Sequence, residues 1–401
     1  MAARGNADPA EKAPGLCSAA HRVDDTLSEM DGRIDWLSRL TPVNLDDVFA
    51  GFKVSGFRDM PALRYDAGLD DLEGMRRELF ALPVREIENE LVEALLMEKQ
   101  RELDRQLELV RLRGGKGFIQ ASLDLFGDVS TRLLDEAEEI IESVPAQEPE
   151  PRDADCEAFC ELAREELAWY RDRIPELAAE VVVDPHPGTH VFVSQGNLHV
   201  ACDYRVPVSH MIPLMGHEIG THVVTRYNGR QQPLRTLEVG LADYDALQEG
   251  LGVLSEYLSG YLPPMRLRTL AARVIAAHMA LQEKSPAEIF AAMYDHCHMG
   301  EELSFSTTIR ALRGGGMTKD ALYLSGLSDL VRYLNHDGDF EALFIGKFAL
   351  KHIHTLETLR EQGIVMPPAL LPRYLEDPAA RDRLDHVRTI SVTELYQKAP
   401  A

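Results

Sequence analysis

The most informative stretch of this chain is His217-Glu218-Ile219-Gly220-Thr221-His222, in which two histidines flank a glutamate with the spacing HExxxH. Imidazole nitrogens are good ligands for zinc and related metals. A carboxylate next to the first ligand can accept a proton from a water molecule that the metal activates. Buried histidines also occur as ordinary core residues, but that reading leaves the intervening glutamate unexplained. The stretch therefore predicts the site of a metal-dependent peptidase.

The spacing makes a structural prediction of its own. In the familiar HExxH motif the two histidines are four residues apart on one face of a helix. Here they are five residues apart, and an α-helix would place them about 140° apart. A single π-bulge adds one residue to a turn and restores the alignment, and Gly220 would ease that distortion. We expect a distorted helix, with Pro213 in its first turn and Asn228-Gly229 as its stop signal.

A third ligand is needed, because catalytic zinc usually has three protein ligands. The segment 247–258 has leucines at helical spacing and, on another face, Glu249 beside Gly250 and Gly252. This face is either solvated and acidic or close to a site. Each glycine costs a helix about 1 kcal/mol relative to alanine, so we predict that this face lies close to a site. Glu249 is the predicted third ligand. If Glu249 is not the ligand, Asp245 and Glu256 are the next candidates. Glu256 is otherwise a carboxylate that orients a ligand imidazole, or a surface acid.

Several motifs follow one another in a fixed order: HEIGTH, Asn228-Gly229 with Gln232-Pro233-Leu234, Gly240-Leu241, Gln248-Glu249-Gly250-Leu251, and Thr318-Lys319-Asp320 with Tyr323 and Gly326. Together they resemble a known family, the bacterial "flavohemoglobin expression-modulating QEGLA motif" proteins, whose eukaryotic relatives are the microtubule-associated tyrosine carboxypeptidases. The resemblance implies zinc bound by His217, His222 and Glu249, with Glu218 as the catalytic acid/base, in enzymes whose eukaryotic members remove the C-terminal tyrosine of tubulin. The chain departs from QEGLA at Gly252, where the family has alanine.

The predicted function is a zinc-dependent carboxypeptidase acting on a peptide or protein C-terminus; the alternative is a metal-binding regulatory or interaction protein that does not cleave. Arginine fits a terminal carboxylate bidentately, so Arg310, Arg313 and Lys319, around Gly314-Gly315-Gly316, are predicted to bind substrate, with surface charge as the alternative. Tyr323 is predicted to donate a hydrogen bond to the oxyanion, with core packing as its rival. Manganese or iron would also suit the ligand set.

Composition limits the classes of partner and the cellular compartment that we expect for this protein. The 401 residues are 45% hydrophobic with a net charge of −24, which argues against nucleic acid and anionic membranes as partners. No apolar run approaches the length of a membrane span, and the N-terminus lacks the apolar core of a signal peptide. Five scattered cysteines fit a reducing compartment. We therefore expect a cytoplasmic protein, and the pattern sets no oligomeric state.

The predicted fold is α+β and mostly helical. We expect a disordered tail over 1–20, a helical N-terminal region over 21–145 and a zinc-peptidase-like domain over 155–401, after a linker rich in Pro, Glu and Asp. The β-rich runs 189–193 and 198–206, around Ser194-Gln195-Gly196-Asn197, predict a hairpin. This hairpin would form a small antiparallel sheet beside the HExxxH helix, with an edge that can bind an extended substrate.

Overall fold

A computed structural model of the protein describes residues 15–34, 36–66, 71–115, 117–148, 150–185, 191–313 and 317–397. Helices predominate over strands, as the α+β prediction requires, and no described helix has the length and apolar character of a membrane span. The helices are α1 Ser18–Arg33, α2 Trp36–Leu40, α3 Leu45–Val54, α4 Leu72–Phe80, α5 Glu90–Leu112, α6 Phe118–Phe126, α7 Thr131–Ser143, α8 Cys156–Arg173, α9 Val208–His217, α10 Val224–Arg230, α11 Thr236–Val239, α12 Asp245–Ser259, α13 Pro264–Leu281, α14 Pro286–Ala291, α15 Glu301–Leu312, α16 Thr318–Asn335, α17 Ile353–Glu361 and α18 Pro378–Val387.

Short helical turns and strands complete the described chain. Two segments are π-helical, Glu218–Val223 and Ala292–His296. The 3₁₀ turns are Val84–Glu86, Glu341–Phe344, Leu350–His352, Arg373–Glu376 and Val392–Glu394. The strands are β1 Ala154–Asp155, β2 Val181–Asp184, β3 Val191–Ser194, β4 Asn197–Ala201 and β5 Arg205–Val206.

The predicted hairpin is formed by β3 and β4. Ser194 pairs with Asn197 across a two-residue turn, and Gln195 and Gly196 both have positive φ, which is the conformation of the turns that suit tight hairpins. Residues 189 and 190 of the predicted first run lie outside the described residues. The second run is interrupted after Ala201, because the chain turns before β5.

The sheet is mixed, so the prediction of a purely antiparallel sheet is wrong. Its strand order is β2-β4-β3, with β2 parallel to β4 and β3 antiparallel to it. The reason is that β2, a run the sequence did not single out, joins the hairpin from its other side. A separate pair is formed by β1 and β5. Both β3 and β4 pack on the π-helical segment, so the sheet lies beside the motif helix.

Helix α12 occupies the centre of the site region, between α9 and α16. Its predicted leucine stripe is buried. Gly250 lies against the backbone of α16: a Cβ atom there would be 2.7 Å from the carbonyl oxygen of Gly326. The two helices therefore cross at backbone contact, which accounts for this glycine in mid-helix. The stripe consists of Leu247, Leu251, Leu254 and Leu258.

The helix with the two histidines is longer than the sequence suggested. It begins at Val208, so Pro213 lies inside it rather than in its first turn. It continues to Arg230, past the predicted stop at Asn228-Gly229.

Asn228 and Gly229 have a packing role instead of a capping one. The buried Asn228 amide donates to the carbonyl oxygens of Phe344 and Leu370 and accepts from the Leu370 N–H. A Cβ atom at Gly229 would be 2.7 Å from the backbone nitrogen of Glu238. The pair thus ties α10 to α11 and to the C-terminal segments, which a reading limited to local turn signals does not reveal.

A single main core extends over both predicted regions. It includes Leu103 from α5 and Leu330 from α16, and α7 packs against α13. The division into 21–145 and 155–401 stays a prediction. The tail predicted over 1–20 is too long, because α1 begins at Ser18 and the side chains of Ala19 and Ala20 are buried; residues 1–14 lie outside the described part.

Candidate metal centre and active site

The π-helical turn places both histidines on one side of the motif helix, as predicted from the spacing. It covers Glu218–Val223, and the ring centroids of His217 and His222 are 5.1 Å apart. The Thr221 hydroxyl donates to the carbonyl oxygen of Gly216 at 3.2 Å, which satisfies one backbone acceptor where the hydrogen-bond ladder is altered. A regular α-helix would point the two imidazoles in different directions.

Gly220 lies inside this turn, where the prediction assigned it the role of easing the distortion. Its neighbour is Tyr374: a Cβ atom at Gly220 would be 3.3 Å from a ring carbon of that side chain. Close packing against Tyr374 is thus the constraint that the structure shows at this position.

Glu249 completes a cluster of three donor groups. Its Oε2 atom is 3.8 Å from Nε2 of His217 and 4.0 Å from Nε2 of His222, and the three ligand atoms lie within 4.8 Å of one another. Tetrahedral ligands ~2.1 Å from a zinc ion would be ~3.4 Å apart, so small side-chain movements suffice to close the cluster on an ion. Two imidazoles and one glutamate with a free fourth position form the donor set of several zinc peptidases. The residues therefore fit a catalytic metal.

Glu256 fixes the ring of the first histidine. Its Oε1 atom is 2.8 Å from Nδ1 of His217, which leaves Nε2 for the metal. Glu256 is 4% exposed, so the alternative reading as a surface acid is wrong. Arg266 on α13 donates to both oxygens of this carboxylate, and the carboxylate is thereby held in place. Such partners orient a ligand imidazole and raise its basicity.

The charges around the cluster suit a bound cation. Burial lowers the pKa of His222 to about 4, so this imidazole is neutral. Burial by itself raises the pKa of Glu249, but His217 and His222 outweigh it and lower that pKa to about 2. Burial by itself lowers the pKa of His217, as it does that of His222, but hydrogen bonds and charges from Glu249 and Glu256 outweigh burial and raise the pKa of His217 to about 10. A cation between Nε2 of His217 and the Glu249 carboxylate would take the place of the proton.

Glu218 adjoins the cluster and faces an open cavity of about 400 Å³. Burial raises the pKa of Glu218 to about 7, which is the range in which a carboxylate both accepts and returns a proton near neutrality. The wall carries five arginines in a chain of net charge −24, together with several aromatic and aliphatic side chains. The cavity is lined by Arg152, Val191, Tyr204, Arg205, Val206, Pro207, His210, Pro213, Leu214, His217, Glu218, Glu256, Tyr261, Pro263, Arg266, Arg273, Arg310 and Tyr323.

The predicted substrate-binding residues are only partly brought to this cavity. Arg310 and Tyr323 line it, whereas Arg313 and Lys319 are not among its lining residues. The guanidinium of Arg310 binds both oxygens of Asp320, at 2.8 and 2.6 Å, and Lys319 pairs with Asp245 at 3.2 Å. Their roles in substrate binding stay predictions. The glycine run 314–316 lies outside the described residues.

Two cavity residues on α13, Arg266 and Arg273, escaped the sequence reading. They are seven residues apart and so share one face of the helix. The sequence did contain a signal for these two arginines. The helix is otherwise rich in alanine and leucine, and arginines in such a setting need a buried partner or a ligand. No motif draws attention to them.

Comparison with known proteins shows which family the chain is similar to. The family model described as "Microtubule-associated tyrosine carboxypeptidase" matches residues 50–391. A segment of 191 residues is 28% identical to Microtubule-associated tyrosine carboxypeptidase 1 of Mus musculus, over 44% of this chain and 38% of the mouse protein; the protein of the same name from Rattus norvegicus gives the same values. The match thus spans less than two thirds of either relative. A solved structure of a protein of unknown function from Shewanella oneidensis aligns over 79% of this chain and 76% of its own, with 14% identity and a TM-score of 0.38.

The family match covers most of the chain, including the three clustered residues His217, His222 and Glu249 and the cavity wall. This protein is therefore a member of the microtubule-associated tyrosine carboxypeptidase family.

Proposed function

We propose that this protein is a zinc-dependent carboxypeptidase that removes the last residue of a peptide or protein. The observation that carries the proposal is the cluster of His217, His222 and Glu249 beside a cavity that His217 and Glu218 line. Zinc bound there would act as a Lewis acid and make water a better nucleophile at neutral pH. The earlier resemblance to the QEGLA-motif proteins supports the same ligand set.

Different residues of the chain carry out the separate steps of hydrolysis. Glu218 accepts a proton from the attacking water and returns it to the leaving amine as the carbon–nitrogen bond breaks, so that a shortened peptide and a free amino acid result. Tyr323 donates a hydrogen bond to the oxyanion. Burial raises the pKa of Tyr323 to about 12, which keeps this phenol protonated and able to donate. Glu256 holds His217 throughout.

The names of the relatives suggest the first substrates to test. Peptides that end in tyrosine are the natural choice, and the aromatic and aliphatic part of the cavity wall is suited to an apolar side chain. The five cysteines are free thiols, which supports the cytoplasmic location that we propose.

The test combines metal analysis with a peptide screen. Purified protein should contain about one zinc per chain, and Glu249→Ala should lose it. Glu218→Gln should keep the metal and lose turnover of C-terminal peptides by orders of magnitude, because its amide cannot accept the proton. Glu142→Gln, on an exposed position of α7, is the matched control and should change neither value. Stoichiometric zinc without cleavage of any peptide would overturn the proposal in favour of a regulatory, non-cleaving protein.

A further inference from the structure

Beside the cavity lies a cluster in which arginines outnumber carboxylates. Three arginines, Arg273, Arg310 and Arg313, surround the single carboxylate of Asp320 closely enough to lower its pKa, although burial by itself raises it. Asp320 is 2% exposed and the three arginines are only partly exposed, so water compensates only part of the remaining charge. Excess positive charge at a poorly solvated position is costly unless an anion joins it.

Most arginines of the cavity wall are already engaged or solvated. Arg266 binds Glu256 and Arg310 binds both oxygens of Asp320. Arg152 and Arg205 are exposed to solvent at the cavity mouth. These four side chains therefore have partners or water already, and only Arg273 is left to consider.

Arg273 is a partly buried residue of the cavity wall and has no counter-ion in the part of the chain that the structure describes. Its Nε atom has no hydrogen-bond partner, and no acidic side chain of the described ranges forms an ion pair with it. The guanidinium carbon lies 5.1 Å from the ring centroid of Tyr323, the proposed oxyanion donor. Burial, followed by the nearby charge of Arg310, lowers the pKa of Arg273 to about 10. The group is thus charged at neutral pH, partly withdrawn from water and able to accept a ligand at the cavity wall.

We propose that Arg273 is the residue that binds the terminal α-carboxylate of the substrate. The inference rests on the proposed carboxypeptidase function and names the group that would make cleavage strictly C-terminal. Guanidinium and carboxylate are planar and form two parallel hydrogen bonds. Asp320 binds Arg310 through both oxygens and forms no ion pair with Arg273 among the described residues. A substrate carboxylate would supply the missing anion, whereas an amide would leave the buried charge uncompensated.

The expected consequence is strong discrimination between free acids and amides. A site built around a polar substrate group rejects an analogue that lacks it by large factors. For the wild type we expect kcat/KM to be at least about 100-fold higher for a peptide with a free C-terminus than for its C-terminal amide. Arg273→Gln should lose most of this ratio through KM for the acid, and Arg273→Lys should recover part of it. Free guanidinium ion should partly rescue Arg273→Ala.

Binding measurements keep the test independent of turnover. N-acetyltyrosine and N-acetyltyrosinamide are titrated by calorimetry into wild type, Arg273→Gln and Arg205→Gln. Wild type should prefer the acid, Arg273→Gln should lose the preference, and Arg205→Gln, which removes an exposed charge from the same cavity, should keep it. Metal content and melting temperature establish that the variants are folded.

The outcomes separate the two proposals. If no peptide is cleaved while the acid still binds through Arg273, the proposed activity fails and the anion site stands. If peptides are cleaved but Arg273→Gln retains the wild-type preference for acids, or Arg205→Gln loses as much of it, the assignment of Arg273 is overturned.

Discussion

Gly252 on α12 lies directly against the imidazole of His217: a Cβ atom on this glycine would be 2.7 Å from Nε2 of that ring. Nε2 is the atom that faces the metal position, because Nδ1 is occupied by Glu256. The glycine thus provides the space in which the first ligand sits. It is also the position where the chain departs from the QEGLA pattern.

The first prediction concerns this contact. Gly252→Ala forces the ring or the helix to move, at a cost of about 1–3 kcal/mol for overpacking. A bound ion together with the Glu256 hydrogen bond would hold the imidazole more rigidly than that hydrogen bond alone, so the cost should appear as weaker metal binding. We expect a loss of about tenfold or more in zinc affinity, since each 1.4 kcal/mol is a factor of ten. Competition with a chelator measures it. An unchanged affinity would mean that α12 and the motif helix separate readily.

A second prediction tests the carboxylate behind His217. Glu256→Gln retains an acceptor for Nδ1 but removes the negative charge that Glu256 shares with Arg266. Zinc affinity should fall by roughly 10–100-fold, the usual effect of losing such a partner. The same chelator titration applies, with Glu142→Gln as the control. A variant that binds zinc as tightly as the wild type would show that the Nδ1 contact does not tune the ligand.

A third prediction addresses the crossing of α12 and α16. Gly250→Ala would place a methyl group against the backbone of Gly326 and force the helices apart, and we expect a loss of about 1–3 kcal/mol in the free energy of unfolding. Gly32→Ala is the matched control: Gly32 lies in α1 with open space around it, and alanine there should stabilise by up to about 1 kcal/mol. Urea unfolding compares the two. Equal effects of both substitutions would contradict the close crossing.

A fourth prediction concerns pH. Burial, followed by the charge of Arg226, lowers the pKa of Lys347 from 10.5 to about 8. Below pH 8 the ammonium is charged in both states and destabilises the folded one; between pH 8 and 10.5 only the unfolded state keeps the proton, so this cost disappears as pH rises.

Lys347→Met should therefore be more stable than the wild type at pH 7, by an amount on the order of 1–3 kcal/mol. The advantage should shrink between pH 8 and 10.5. Chemical unfolding of both proteins at pH 7, 9 and 10.5 provides the test. A difference that stays constant over this range would show that Lys347 does not titrate there.

The sequence predicted which side chains lie together at the site better than it predicted their surroundings. His217, His222 and Glu249 form one cluster and Glu218 adjoins it, and these residues were singled out because their spacing and types are those that a metal requires. The π-helical turn was predictable for the same reason, since five residues fit one ion only if the helix is altered.

Other features depend on contacts between distant segments and carry no local signal. Asn228 resembles a helix stop, yet its amide binds carbonyl groups more than a hundred residues away. β2 changes the sheet from antiparallel to mixed. Among the partly buried arginines that line the cavity, Arg273 differs from Arg266 and Arg310 in having no counter-ion among the described side chains. This difference becomes visible once Glu256 and Asp320 are assigned to their partners.

The π-helical turn has a consequence for how such sites are found. Removing Gly220 from the text of the sequence would leave His-Glu-Ile-Thr-His, which is an ordinary HExxH motif. The two spacings thus differ by one inserted residue, accommodated within a continuous helix. An alignment of this protein with HExxH enzymes needs a gap between the histidines, inside a helix, where alignment scoring penalises gaps most heavily. Searches with a fixed four-residue spacing will overlook metal centres of this kind.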